Sequence, residues 1–186
     1  PIAQDRIHTV SNGFGGTTTV EYTSSTEFDN ATPPPPVQPI VTSLTESDGR
    51  GNSATTTYSY SGGLYDKLEK RHLGFRYVKE TMPCIDGETQ CPYVETWFNQ
   101  SSGSASEIDE EKSRAGNGTL LRYMKNEYAN NGSTTPYTSK LTGNWTYVYD
   151  GTNAACSSWP CTNAKRIRTE WVYDAYDNIT HTTTYE

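Results

Sequence analysis

The chain has 186 residues, with 22 acids against 15 Lys and Arg, a formal net charge of −7 and only 32% hydrophobic residues. That balance lacks the clustered basic face of a nucleic-acid binder, and no apolar run approaches the roughly 18 residues a membrane span needs. Its 14 Tyr, 4 Trp and short Thr tracts favour half-buried strands over helices, so aromatic rings have to supply a thin core.

Residues Ile2 to Val10 read as a short edge strand. Ser11-Asn12-Gly13-Phe14-Gly15-Gly16 is a turn signal, because Asn-Gly and Gly readily take positive φ. Thr17 to Tyr22 then reads as a strand. Residues 31–39, with the tetraproline Pro33 to Pro36, cannot enter a central sheet and predict a polyproline crossover. An SH3-type ligand there would want a basic anchor, and none is present.

Asp48 to Lys79 is the organising stretch. Asp48-Gly49-Arg50-Gly51-Asn52 makes a turn, Ala54 to Tyr60 a strand, Gly62-Gly63 a second break, and a further aromatic run centres on Phe75. Turn and strand echo Asn12 to Tyr22, and weaker copies follow at Asn117 to Tyr123 and Asp177 to Tyr185, as a decayed repeat would. Leu64 to His72 is the one stretch with a helical reading, of about two turns. Tyr93 to Phe98 is the next strand. Residues 99–118, rich in Ser and Gly with Glu107, Asp109, Glu110 and Glu111, read as a mobile polar loop without the ligand spacing of a calcium site. Thr119 to Tyr128, Thr138 to Tyr149 and Lys165 to Tyr173 are the last long strands; Lys165-Arg166-Ile167-Arg168 is their one basic cluster and reads as a solvated strand face.

The four cysteines fall in two local pairs, Cys84 with Cys91 and Cys156 with Cys161. Turn-like interiors of six and four residues suit disulfides and an oxidising compartment, secreted or at the cell surface; a four-Cys zinc site normally has tighter spacing. No other metal set and no cofactor motif stands out. His8, His72 and His181 are isolated, and no nucleophile elbow or phosphate loop is present, so no catalytic residue is assigned. Trp97, Trp145, Trp159 and Trp171 are the candidates for an exposed binding face; on alternating strands, three of them read more simply as core, leaving Trp159 exposed. Asn-x-Ser/Thr triplets begin at Asn30, Asn99, Asn117, Asn131, Asn144 and Asn178, as chance allows in so Asn- and Thr-rich a chain. A start at Pro1 without a signal peptide reads as a piece of a larger or processed protein.

Val172-Tyr173-Asp174-Ala175-Tyr176-Asp177-Asn178-Ile179-Thr180 resembles the YD repeat of RHS-repeat proteins, with Asp177 where glycine usually stands, and Thr146 to Gly151 is a weaker echo. Asn12-Gly13-Phe14-Gly15, the proline segment, Ser47 to Gly51, Thr57 to Tyr60 and Leu73-Gly74-Phe75-Arg76 follow in an order similar to the region just upstream of those repeats in insecticidal toxin-complex B subunits and SpvB-like proteins. The cysteine loops and the acidic interlude depart from that family's pattern. The resemblance implies a section of a hollow β-shell wall, or of the domain leading into it, and carries no catalytic residue over.

The expectation is therefore a single all-β, antiparallel segment over 1–186, with residues 165–186 as a YD-repeat-like end. Its role would be structural and non-enzymatic, its partners adjacent β-strands of the same or neighbouring polypeptides, with homo-assembly open. A filament or adhesin subunit, and a carbohydrate-binding module, are the alternatives.

Overall fold

The computed structural model of the chain describes residues 5–85, 87–149 and 164–186. β1 (Thr9–Ser11) and β2 (Thr17–Ser24) lead through a single 3-10 turn, Ser25–Glu27, and the two-residue β3 (Asp29–Asn30) to β4 (Pro39–Ser47) and β5 (Ser53–Gly63). A small ladder of β6 (Tyr65–Asp66) and β7 (Arg71–His72) precedes β8 (Tyr77–Thr81) and β9 (Tyr93–Phe98). β10 (Ile108–Arg114), β11 (Leu120–Asn131), β12 (Thr138–Val148), β13 (Lys165–Tyr173) and β14 (Ile179–Tyr185) follow. The main sheet runs β1-β2-β4-β5-β8-β9-β10-β11-β12-β13-β14, antiparallel at every step, and only β3 lies parallel, against β5. The expected all-β, antiparallel class is what the chain adopts.

One connection recurs. Asn12 N–H donates to Gly16 O at 3.0 Å, Asp48 N–H to Asn52 O at 3.2 Å, Ala115 N–H to Thr119 O at 2.9 Å, and Asp174 N–H to Asn178 O at 3.0 Å. In three of these loops the first side chain caps the turn. Asn12 Oδ1 accepts from Phe14 and Gly16 N–H, Asp48 Oδ1 from Arg50 and Asn52 N–H, and Asp174 Oδ1 from Tyr176 and Asn178 N–H. The echoes in the sequence thus correspond to one hairpin loop used four times, although the third begins at Ala115 and the last at Asp174, two and three residues before the copies expected there. Gly15 and Gly49, at φ 95° and 70°, bring the first two loops into backbone contact.

The sheet is a single layer with little core. Leu120, Tyr123, Tyr147 and Tyr149 form one buried cluster, flanked by Trp145 and Ala164. A second gathers where β3, β5 and the β6–β7 ladder meet: the Phe28, Tyr60, His72 and Phe75 rings interlock at 5.0 to 6.1 Å, beside buried Leu73. The accessible surface is 11625 Å². A compact monomer of 20.7 kDa would expose about 8,900 Å². The excess is what an open layer leaves in water.

Two local expectations are corrected. Residues 108–114, placed in a polar loop, form β10, because their charges find partners on both neighbouring strands: Arg114 with Glu95 at 2.7 Å and Glu111 with Arg122 at 2.9 Å. Leu64 to His72 forms β6, a turn and β7 rather than helix. Asp66 Oδ1 caps the N–H groups of Leu68 and Glu69, and Lys70 takes φ 53°, which ends any helical run. The proline stretch does act as a connector up to Pro39, where β4 begins.

Candidate functional site

The two margins of the sheet are unequal. β1 has three residues, and the segment before it is tied back: Tyr22 OH donates to Ile7 O at 3.0 Å, Arg6 lies 5.6 Å over the Tyr22 ring, and His8 meets Glu21 at 3.1 Å. β14 has seven residues, all exposed on both faces, and pairs only with β13 among the described residues. Its sequence, Ile-Thr-His-Thr-Thr-Thr-Tyr, has high strand propensity and lacks the Lys or Pro with which edges are usually blunted; its one irregularity is the register shift at Thr180, at the start of the strand. Alternate backbone N–H and C=O groups along it therefore face outward.

Inward from that margin, one face carries two rows of rings and charges in register. Tyr77, Trp97, Glu110, Lys125, Trp145, Arg168 and Tyr185 stand opposite one another across seven strands. Beside them run Lys79, Glu95, Lys112, Tyr123, Tyr147 and Arg166. The cations lie over the rings: Lys79 is 4.0 Å from the Tyr93 centroid, Lys112 4.5 Å from Trp97, and Arg168 4.0 Å from Trp145. Each such contact is worth about 0.5–2 kcal/mol depending on desolvation. The layer thereby replaces a second sheet with a ladder of its own side chains. Burial, with the Glu95 carboxylate at 2.9 Å, pushes the Tyr77 hydroxyl up to about 12, so it stays a neutral donor. With Trp97 and Trp145 roofed by cations, neither is an open platform for a sugar ring.

Beside Glu110 and Lys125 of the first row, Asp109 binds Arg76 at 2.7 Å and Lys125 at 2.6 Å, and Glu110 reaches Lys125 at 3.1 Å. Burial alone would raise the Asp109 pKa, but the Lys125 and Arg76 hydrogen bonds outweigh it and hold the carboxyl below its usual value. For Lys125, burial opposes the charge, and Asp109 and Glu110 reverse that and raise its pKa. The Asp109 contribution is present above the ordinary carboxylate value of 3.8 and is lost as pH falls through the depressed native value. Asp109→Asn should lower stability at neutral pH by about 1–2 kcal/mol, the buried-pair cost discounted for the exposure of Arg76. The difference from the parent should vanish in strong acid, read by urea unfolding across pH. An equal loss at both ends of the pH range would show that the charge is irrelevant.

The residues singled out from sequence are scattered. Cys84 and Cys91 are joined in a disulfide, Cα to Cα 4.3 Å, within the connection between β8 and β9. Cys156, Cys161 and Trp159 lie outside the described residues. Trp97, Trp145 and Trp171 are half-buried on β9, β12 and β13. His8 precedes β1, His72 sits on β7 and His181 on β14, so no two share a site. No group of three or more metal-type ligands occurs among the described residues. Sequence reasoning missed Arg76, Asp109 and Lys125 as a unit. They are 33 and 16 positions apart and meet only through strand order, so no local pattern announces them.

The described residues thus form an antiparallel meander, zipped by rings and charges on one face and with β14 at its margin. The chain belongs to the insecticide toxin TcdB middle/N-terminal region family, whose sequence model matches residues 6–103, just over half of it. No curated protein sequence matches. Among solved structures, TcdB2-TccC3 without its hypervariable C-terminal region superposes with a TM-score of 0.71 at 12% identity. TcdB2-TccC3-Cdc42 gives 0.71 at 14%, and a Photorhabdus luminescens Tc holotoxin pore 0.71 at 12%. Coverage is 94–95% of this chain and 12% of each of theirs. At these identities the likeness is one of fold, and the chain spans about an eighth of those proteins' length.

Proposed function

We propose that the chain is a non-catalytic structural segment of a secreted toxin-complex-like protein, in which the sheet is continued at β14 by a further strand to build a shell wall or an extended assembly. The seven-residue unpaired margin of β14 carries this reading. A strand that offers outward N–H and C=O groups gains most when another strand satisfies them, and its pairing partner needs no side-chain pocket. The surface excess over a compact monomer supports it, because a layer built for a larger wall has no reason to bury both faces itself. In the same reading residues 165–186 lead into YD-type repeats, and the Cys84–Cys91 disulfide staples the connection between β8 and β9. The wall then matures in an extracellular, oxidising setting.

Amide hydrogen exchange tests the central point. In the isolated chain, the outward-facing amides of β14 should exchange like those of a loop, while those of β11 and β12 are protected. In a longer protein that contains this segment, β14 should become as protected as β12. Equal, rapid exchange of β14 in both would overturn the reading. A shift of the isolated chain to high-order polymers by size exclusion would instead favour the filament alternative.

A further inference from the structure

Three asparagines precede glycine: Asn12, Asn117 and Asn131. At such a pair the deprotonated backbone nitrogen of the glycine can attack the asparagine Cγ, and the absent Cβ leaves its approach open. In a fixed fold three things then decide the rate: polarisation of the attacked carbonyl, freedom of the attacking nitrogen, and freedom of the departing amide.

All three attacked carbonyls accept hydrogen bonds, and the sites differ in the freedom of the attacking and departing nitrogens. Asn12 Oδ1 accepts Phe14 N–H at 2.8 Å and Gly16 N–H at 3.0 Å. Negative charge gathering on that oxygen as Cγ becomes tetrahedral falls on two preset donors, the arrangement of an oxyanion hole. Gly13 N–H is held only loosely, by a 3.4 Å hydrogen bond to Ser11 Oγ, and the loop is exposed. Asn117 Oδ1 receives Thr119 N–H at 3.0 Å, but Gly118 N–H is committed to Ala115 O at 2.9 Å. Asn131 Oδ1 also accepts, from Thr134 N–H at 3.2 Å and Thr134 Oγ1 at 3.1 Å, but Asn131 Nδ2 donates to Thr134 O at 2.9 Å and Pro136 O at 3.3 Å, so its departing group is tied down.

We propose that Asn12 is a self-catalysed modification site, converted to an acid by Gly13. The Gly13 N–Cγ bond forms, the Cγ–Nδ2 bond breaks, and the proton from Gly13 N leaves with the amide as ammonia. Water then opens the cyclic imide, adding hydroxyl to carbon and hydrogen to nitrogen. Opening at Cγ gives aspartate, and opening at the main-chain carbonyl gives isoaspartate. The aspartate product is a loop this chain already builds twice, since Asp48 and Asp174 hold the same pair of N–H groups. Conversion therefore exchanges a neutral cap for a charged one without rebuilding the hairpin. The isoaspartate product lengthens the backbone inside the closed loop and loosens it from Gly49.

The full chain, held in mildly alkaline buffer and followed by peptide mapping with mass spectrometry, tests this, with Asn12→Asp as the product standard. Acid at position 12 should accumulate roughly tenfold faster than at 117 or 131, a fraction of what one preset donor supplies in an enzyme. In denaturant the three rates should converge. Conversion at Asn117 or Asn131 as fast as at Asn12 in the native chain would overturn the proposal, as would an unchanged ranking in denaturant.

Discussion

Gly49→Ala should lower the stability of the chain by about 3 kcal/mol in urea or thermal unfolding. Two effects add. Gly49 sits at φ 70°, where an L side chain costs about 1–2 kcal/mol. A Cβ there would also penetrate the Gly15 carbonyl carbon and oxygen and stand 2.9 Å from its Cα. Backbone is on the receiving end, so no rotamer relieves the overlap, and overpacking of this kind costs about 1–3 kcal/mol. Gly51→Ala separates the two effects. That residue has φ 104°, and its Cβ would meet nothing within 4 Å, so only the conformational part should appear. Equal losses for the two variants would show that the neighbouring hairpins do not lean on each other.

Tyr147→Ala should be the most damaging single truncation on the ring-and-charge face, at about 3–4 kcal/mol. Tyr147 has no exposed surface, although the sheet has one layer. Among the described residues it packs against the Tyr123 ring at 6.2 Å, the Trp145 ring at 6.4 Å, and the Leu120 and Tyr149 side chains of the same cluster. Removing it uncovers four neighbours as well as deleting its own buried area. Tyr185, in the row next to it but at the open margin and 51% exposed, should lose no more than about 0.5 kcal/mol on the same change. If both truncations cost the same, the inner cluster is not a core.

Much of the fold was legible because Thr- and Tyr-rich runs separated by Asn-Gly and Asp-Gly turns carry their own register. β9 and β13 are where Tyr93 to Phe98 and Lys165 to Tyr173 predict them, and β2, β5, β11 and β12 differ from expectation only at their ends. The likeness to the toxin-complex family, read from Asn12 to Gly15, Ser47 to Gly51 and Leu73 to Arg76, is met by the family match over 6–103. Two strands were hidden for physical reasons. β4 begins at a proline just past a tetraproline, so it reads as the tail of a connector. β10 is Ile-Asp-Glu-Glu-Lys-Ser-Arg, which has poor strand propensity by itself and becomes a strand only between partners of opposite charge. The margins were less legible still. Nothing in Ile179 to Tyr185 tells an edge strand from an inner one, since that depends on what comes next in space.

Every long strand of the main sheet pairs with the ones before and after it in the chain, apart from the small inserted β3 and the β6–β7 ladder. Such a sheet has no distant closure to wait for. Stability accrues rung by rung, much as in solenoid repeats, and assembly can follow the polypeptide as it is synthesised. A lesion at one rung should then fray its neighbours and spare the far end, so partial unfolding, rather than collapse of the whole, is the natural failure of this molecule.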